Sequence, residues 1–450
     1  MKNSKKKNNT KQNIMPDKTD NFNKTDKTDK KLKNSESGSE DNEFCILNKL
    51  DKIKPYLALF ALGLMVRVIA LVYIDMPFTT DVFTFQFWAV QLYEGGLSYF
   101  YYSDSFTDYP PVYMYVLYLI GAIRVAMGGF DINSPAFIRL IFMPAIISDL
   151  ITGLLFYYVC AIKWEHKNPF GIHFWLALTY LLSPVILLNS AIWGQVDAVH
   201  TLLLFIALYG ISRKQSLPVY LIYGLAVLTK PQSLIIAPVF LYSAFLYVKE
   251  REFSAKSIAT MWGFAAATFL LMGLLSLPFG IPLVIEQFAD TLGSYPFASV
   301  NAYNFFSLTG GNWRPITPFY VAVSSISIVS VTLMSFWFLH HNWNRSGIFF
   351  AAALLFSTTF TFVVRMHERY LFPALLFLMA AYFFKEVWDR RVLALYIAFS
   401  VTLFINCLDV LWRFHNINTI ESSMPLISFL QVVLGVYALY IGRNWMVNKH

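Results

Sequence analysis

The scarcity of charge beyond residue 54 constrains this chain more than any other feature. Residues 55–450 carry 39 charged side chains among 396, a net of only +3, whereas the first 54 hold 14 Lys and 9 acids. Soluble domains average about 25% charged residues, so the body of the chain is not an ordinary globular domain. Its apolar runs lie near 55–75, 112–129, 136–162, 171–189, 196–211, 217–229, 231–248, 257–279, 316–339, 347–364, 370–384, 391–412 and 425–442. A bilayer core of about 30 Å takes roughly 20 such residues per helix. The expectation is an all-α, polytopic membrane protein of about 12–14 transmembrane helices over residues 55–450. Residues 1–54, rich in Lys, Asn, Asp, Thr and Ser, read as a disordered basic tail, because such a segment buries too little surface to offset its ordering entropy.

Lys/Arg clusters orient membrane chains toward the cytoplasm. KWEHK (163–167), SRK (212–214), KERE (249–252), HHNWNR (340–345), KEVWDRR (385–391) and the C-terminal RNWMVNKH are therefore expected inside, along with the N-terminus. The opposite face then holds 76–111, 190–195, the break at Lys230-Pro231, 280–315, 365–369 and 413–424, which contain nearly every polar motif of the body. One stretch fits this scheme poorly. Residues 112–162 read as two spans where an odd number of crossings is required, and the run 136–162 contains Arg139, Pro144 and Asp149, so part of it is a candidate for a re-entrant segment, which is tolerated only against protein or water. The +8 net charge comes mostly from the tail and is no sign of nucleic-acid binding. The three cysteines show no metal-ligand spacing.

Five segments carry candidate chemistry. In the first outer loop Asp81 follows the first helix, and an amphipathic stretch (83–97) and DYPP (108–111) come before the second. A carboxylate at a membrane boundary can face an interfacial cavity, and Asp108 is either a second acid or a loop anchor. NSAIWGQVDAVH (189–200) groups Trp193, Gln195 and Asp197 as a stacking surface, an amide and a carboxylate; an acid within a membrane segment points to function, the plainer reading being a helix N-cap. TKPQ (229–232) places Lys230 at the turn of a helical hairpin, able to meet an anion or to snorkel beside a kink. The loop 295–313 supplies Asn301, Tyr303 and Asn304 with Gly310, Gly311 and Trp313, groups suited to a carbohydrate. RMHERYLFP (365–373) sets Arg365, His367 and Arg369 around Glu368, which reads as a site for an anionic ligand held by bidentate arginine or as an internal ion-pair cluster. There is no P-loop, HExxH or GxSxG motif, so nucleotide donors and zinc hydrolysis have no support.

Together, the early outer-loop Asp, DYPP, WGQxD, TKPQ, NAYN and HERYLFP resemble the bacterial polytopic glycosyltransferases related to the GPI mannosyltransferase II family, over Arg67 to Pro373. That group is assigned to the GT-C superfamily, with the dolichyl-phosphate-glucose-dependent glucosyltransferases and the protein O-mannosyltransferases. DYPP and HER look like counterparts of elements in the glucosyltransferases. The resemblance implies a GT-C helical fold, a polyprenyl-phosphate-linked sugar donor, a lipid or glycan acceptor and a catalytic Asp in the first outer loop, where Asp81 matches. No Asp-X-Asp occurs there, so no metal or other cofactor is expected.

The resulting expectation is an inverting hexosyltransferase of the cell membrane, mannose favoured, working on the extracytoplasmic face. Asp81 would be its general base, with Asp108 as a possible second acid. Arg365, His367, Arg369 and Lys230 would meet the donor phosphate. Trp193, Gln195, Asp197, Asn301, Tyr303 and Asn304 would orient the sugars. The competing reading is a transporter or flippase of lipid-linked sugars, although no internal repeat of the kind many transporters carry is evident.

Overall fold

The structure, a computed structural model, describes residues 52–74, 79–103, 106–163, 168–293, 295–413 and 423–447. The chain divides into Met1–Lys54 and Pro55–His450. The tail up to residue 51, most of KWEHK, most of the loop 413–424 and the last three residues lie outside the described residues.

Each apolar run has become helix. Among the described residues, eight helices are long and apolar enough to cross a membrane: Lys52–Tyr73, Pro135–Lys163, Pro231–Lys249, Ala255–Phe279, Pro318–His341, Arg345–Phe362, Arg390–Arg413 and Met424–Val447. The pair Ile172–Leu181 and Pro184–Ile192, bent by 41°, makes a ninth if it is one span. Three shorter apolar helices, Pro111–Ala126, Leu217–Thr229 and Phe372–Phe384, bring the total to the lower bound of the expected range only if they cross as well. Two of the interruptions fall at proline. Pro184 and Pro231 each open a helix just after another ends, where the missing N–H costs nothing but the preceding helix cannot run through.

Burial divides the helices into two kinds. Phe372–Phe384 is buried at every position and packs on Arg345–Phe362, itself almost wholly enclosed. Ala255–Phe279 has none of its apolar window buried and exposes Trp262, Phe269 and Leu270. An apolar face of that extent marks an interaction surface, and on helices of spanning length the matching partner is lipid. The protein is a multi-pass, helical membrane protein.

The stretch that fitted the sequence scheme poorly is a single continuous helix, Pro135–Lys163, with Pro144 inside it and no re-entrant break. Its acid is internally matched: Arg67 of the first helix reaches Asp149 Oδ2 at 3.0 Å, and the Tyr180 hydroxyl donates to Oδ1 at 3.2 Å. Arg67 Nη1 donates to both Gly63 O and Leu181 O. A buried charge requires such partners, so these polar residues tie three helices together.

After the first long helix, helix Thr80–Gly95 turns Val82, Phe85, Trp88 and Leu92 inward but also exposes Phe83, Phe87 and Tyr93. It is therefore apolar on two sides rather than amphipathic, as suits a helix between protein and lipid. It lies close against Pro111–Ala126, where a Cβ on Gly121 would come within 2.3 Å of Ala89 O. The strongly amphipathic element among the described connections is Ile281–Gly293, which follows Ala255–Phe279.

The connections gather at two ends. At one, Lys163 Nζ donates to Phe383 O and Lys385 O, the Arg345 guanidinium lies over Tyr209 and Phe384, and Trp445 Nε1 donates to Asp389. The motif-bearing segments meet at the other.

Candidate functional site

The site is assembled from short segments that leave or enter helices. Asp81 lies in the first turn of Thr80–Gly95, where Thr79 Oγ1 caps Val82 N. Trp193 and Gln195 follow a π-turn over Leu188–Ile192. Gly194 between them has φ +70°, and a Cβ there would fall 2.2 Å from the Phe142 ring, so glycine is required to aim its two neighbours. Lys230 stands in extended backbone between Leu217–Thr229 and the 3-10 turn Pro231–Ile236. Residues 299–300 and 366–367 pair as a two-residue parallel ladder, Val300 opposite His367, which holds the Asn301 loop against the HER segment.

Around this frame runs a connected charge network. Gln195 Nε2 donates to Asp81 Oδ2 at 2.9 Å, and Arg369 approaches the same oxygen at 3.5 Å. Arg369 also reaches Glu368 and, at 3.7 Å, Asp197. Asp197 in turn accepts from Lys230 Nζ at 2.5 Å and from Asn189 Nδ2 at 3.2 Å. The Trp193 ring lies 5.5 Å from the Arg369 guanidinium, and Tyr370 lies 5.2 Å from Lys230 Nζ, both within cation–π range.

Two cavities open on this network. The larger, ≈ 430 Å³, is lined by Lys230, Arg365, His367 and Arg369 at its polar end and by Leu234, Ile235, Ile328 and Val363 along helices Pro231–Lys249, Pro318–His341 and Arg345–Phe362. Leu234 and Ile328 are also exposed on the outer surface, so its apolar wall continues toward lipid. The smaller, ≈ 270 Å³, is lined by Asp81 and Glu368 among Phe85, Trp88, Phe106, Trp193 and Trp313. Asp108, Tyr109, Tyr295, His367 and Arg369 line both.

His367 is not a cation here. Burial pushes its imidazole well below the ordinary histidine range, with Arg369 and Lys230 adding to the effect. Its Nε2, Trp193 Nε1 and Gln195 Oε1 are buried without a hydrogen-bond partner among the described residues. Each such atom costs about 1–3 kcal/mol, a debt that a polar ligand at the cavity wall removes. Burial, reinforced by the Asp81 charge, raises the Asp108 carboxyl to about 6, against the pull of Arg369 and Lys230 and a hydrogen bond from Tyr295.

Several sequence candidates have other duties. Asp197 is 1% exposed and lines neither cavity; it stands behind the wall as the counter-ion of Lys230 and Arg369. Tyr303 is buried, with its hydroxyl donating to Asp409 beside Arg413. Asn304 is buried too. Its Oδ1 caps Phe306 N and Ser307 N, and its Nδ2 donates to Phe360 O at 3.0 Å. Both shape the loop and line neither cavity, whereas Asn301, at φ +59°, lines the aromatic one and accepts from Trp313 Nε1. Gln195 acts through Asp81. Tyr109, within DYPP, and Tyr295, at the start of the loop 295–313, line both cavities although neither was named as a site residue from the sequence, where only the segments that carry them stood out.

No family model and no curated protein matches this chain.

Proposed function

We propose that this protein is a membrane-embedded hexosyltransferase that takes its sugar, mannose by the resemblance, from a polyprenyl-phosphate-linked donor. The reading rests on one observation: a cavity with cations at its head and an apolar wall running to lipid shares residues with a second cavity lined by carboxylates and aromatic rings. The first matches the chemistry of a lipid phosphate. Lys230, Arg365 and Arg369 meet the phosphate, arginine by paired N–H donors, and the prenyl chain follows Leu234 and Ile328 outward. The second matches a sugar hydroxyl, with ring faces for stacking and acids for its proton. The basic residues gathered at the opposite end, Lys163, Arg345 and Lys385 among them, agree with a cytoplasmic placement of that end and an extracytoplasmic site.

In the transfer, the acceptor hydroxyl in the aromatic cavity loses its proton to a carboxylate and its oxygen bonds to the anomeric carbon in line, inverting it. The bond from that carbon to the phosphate oxygen breaks, and the electron pair leaves with the polyprenyl phosphate. Lys230, Arg365 and Arg369 stabilise the charge that grows there. The carboxylates paired with Arg369 and Lys230 offset the cost of burying these cations.

The deciding experiment supplies labelled polyprenyl-phosphate mannose to the protein in proteoliposomes, with a polar-lipid extract as acceptor. A new glycosidic product supports the reading. Labelled lipid that moves between leaflets without product identifies a flippase instead.

A further inference from the structure

Three carboxylates face the aromatic cavity, and they are held differently. Glu368 is buried in an ion pair with its neighbour Arg369. Asp81 is 36% exposed, lines the aromatic cavity alone, and already shares one oxygen between Gln195 and Arg369. Asp108 lines both cavities and so stands where a donor carbon and an acceptor oxygen would meet. Its segment is braced on every side. Trp88 Nε1 donates to Phe106 O at 2.9 Å, Gln287 Nε2 to Thr107 O, Thr107 Oγ1 to Gln287 Oε1 at 2.6 Å, and the Tyr101 hydroxyl to Tyr109 O at 2.7 Å. Thr291 Oγ1 reaches Asp108 O at 3.4 Å, and Pro110 holds the chain extended before Pro111 opens the next helix. A group fixed by its backbone before substrate arrives needs no reorganisation at the moment of reaction. Gln287 and Thr291 belong to the amphipathic helix Ile281–Gly293, which accounts for that helix as a clamp on the Asp108 segment.

Resting on the transferase reading above, we infer that Asp108 is the proton acceptor of the reaction and that Asp81 is a positioning residue that holds Arg369. The acceptor O–H bond breaks toward an Asp108 oxygen, the freed electron pair forms the bond to the anomeric carbon, and the carbon–phosphate-oxygen pair departs with the lipid phosphate. Asp108 finishes as the neutral acid and releases its proton to water.

The ionisable surroundings agree. The groups facing Asp108 are Asp81 from its helix, Lys230 from the turn between two helices, Tyr101, Tyr109 and Tyr295 from loops, and His367, Arg369 and Tyr370 from the HER segment, with Glu368 on the same cavity wall but paired with Arg369. Burial raises the four phenols and holds His367 neutral. Asp108, at about 6, is the member of the group placed to gain or lose a proton just below neutrality, where a general base is most effective.

The test uses the full chain in proteoliposomes, labelled polyprenyl-phosphate mannose as donor, and methyl hexopyranosides and a polar-lipid extract as acceptors. In the wild type kcat falls as pH drops through about 6. Asp108→Asn loses about 100-fold or more in kcat, in the range usual for a lost acid–base group, with donor KM nearly unchanged and no acid limb. Asp108→Glu restores part of the rate together with the limb. Asp81→Asn keeps an acid limb, moved to lower pH because the charge that helps raise Asp108 is gone, and raises donor KM, since Arg369 is no longer held in place. Infrared titration shows a protonated carboxyl band growing through the same pH range in the wild type and missing from Asp108→Asn, a readout that a merely structural role would not move. An acid limb retained in Asp108→Asn, or a variant within about tenfold of wild-type kcat, overturns the assignment while leaving the transferase reading intact. A wild type that makes no product with any acceptor overturns both.

Discussion

Removing either partner of the Lys230–Asp197 pair tests how charge is stored beneath the site. The two groups are 2% and 1% exposed and 2.5 Å apart, and breaking a buried pair by deleting one partner costs about 3–5 kcal/mol. The two deletions are unequal. In Lys230→Met the Asp197 carboxylate keeps Asn189 at 3.2 Å, Arg369 at 3.7 Å and His200 at 3.7 Å, so the expected loss falls to about 1–3 kcal/mol. In Asp197→Asn the ammonium loses its close carboxylate and keeps the ring faces of Tyr370 at 5.2 Å and Tyr109 at 6.0 Å with the more distant Asp108, and Arg369 loses one of its carboxylates, so a loss toward about 3–5 kcal/mol is expected. The double variant Lys230→Met, Asp197→Asn removes both charges and recovers at least about 1.5 kcal/mol relative to the sum of the singles. Unfolding by denaturing detergent in mixed micelles measures all four corners of the cycle. Additive losses, or an Asp197→Asn loss below about 1 kcal/mol, would refute the claim that this pair is structurally coupled. Asp197→Asn and the double variant change the surroundings of Arg369 alike, so the difference in donor affinity between them isolates the role of Lys230 at the phosphate: weaker donor binding in the double variant with acceptor binding retained is the expected outcome.

Three further outcomes follow from the geometry. Asn304→Ala, which deletes a cap and a tie to Phe360 O, costs about 1–2 kcal/mol in thermal unfolding while the folded fraction keeps its turnover, because Asn304 lines neither cavity. Gly194→Ala forces a Cβ onto Phe142 and a side chain onto φ +70°; the yield of monodisperse protein drops sharply, and normal yield with normal activity would contradict the packing described. Single cysteines placed at Trp313, which is 47% exposed beside the site, and at Arg251, exposed at the other end, react with an impermeant maleimide from opposite sides of sealed vesicles. Labelling of both from one side would remove the assignment of the two ends to two compartments.

The helices were legible because a span is a local property: some twenty apolar residues in a row must be helix in lipid, and all of the runs became so. The motif-bearing connections were legible for a related reason, since polar residues in so apolar a chain stand out wherever they occur. The sequence could not say which polar residues face a ligand and which face each other. Asp197 and Asn304 looked like binding groups, but one is matched by Lys230, 33 positions on, and the other by a carbonyl 56 positions on. The presumed break in 136–162 dissolved likewise once Arg67, 82 positions before Asp149, supplied the charge that the sequence lacked nearby.

Sequence alone thus determined that the chain is a bundle of membrane helices carrying its polar groups on their connections, because hydrogen bonding within each apolar segment and the cost of charge in hydrocarbon act residue by residue along the chain. Tertiary structure alone decided that Asp108 stands on both cavities while Asp81 is tethered to Gln195 and Arg369, and that His367 is neutral. Burial, the distance between charges and the satisfaction of hydrogen bonds depend on groups brought together from helices far apart in sequence, and those distances exist only after the helices have packed.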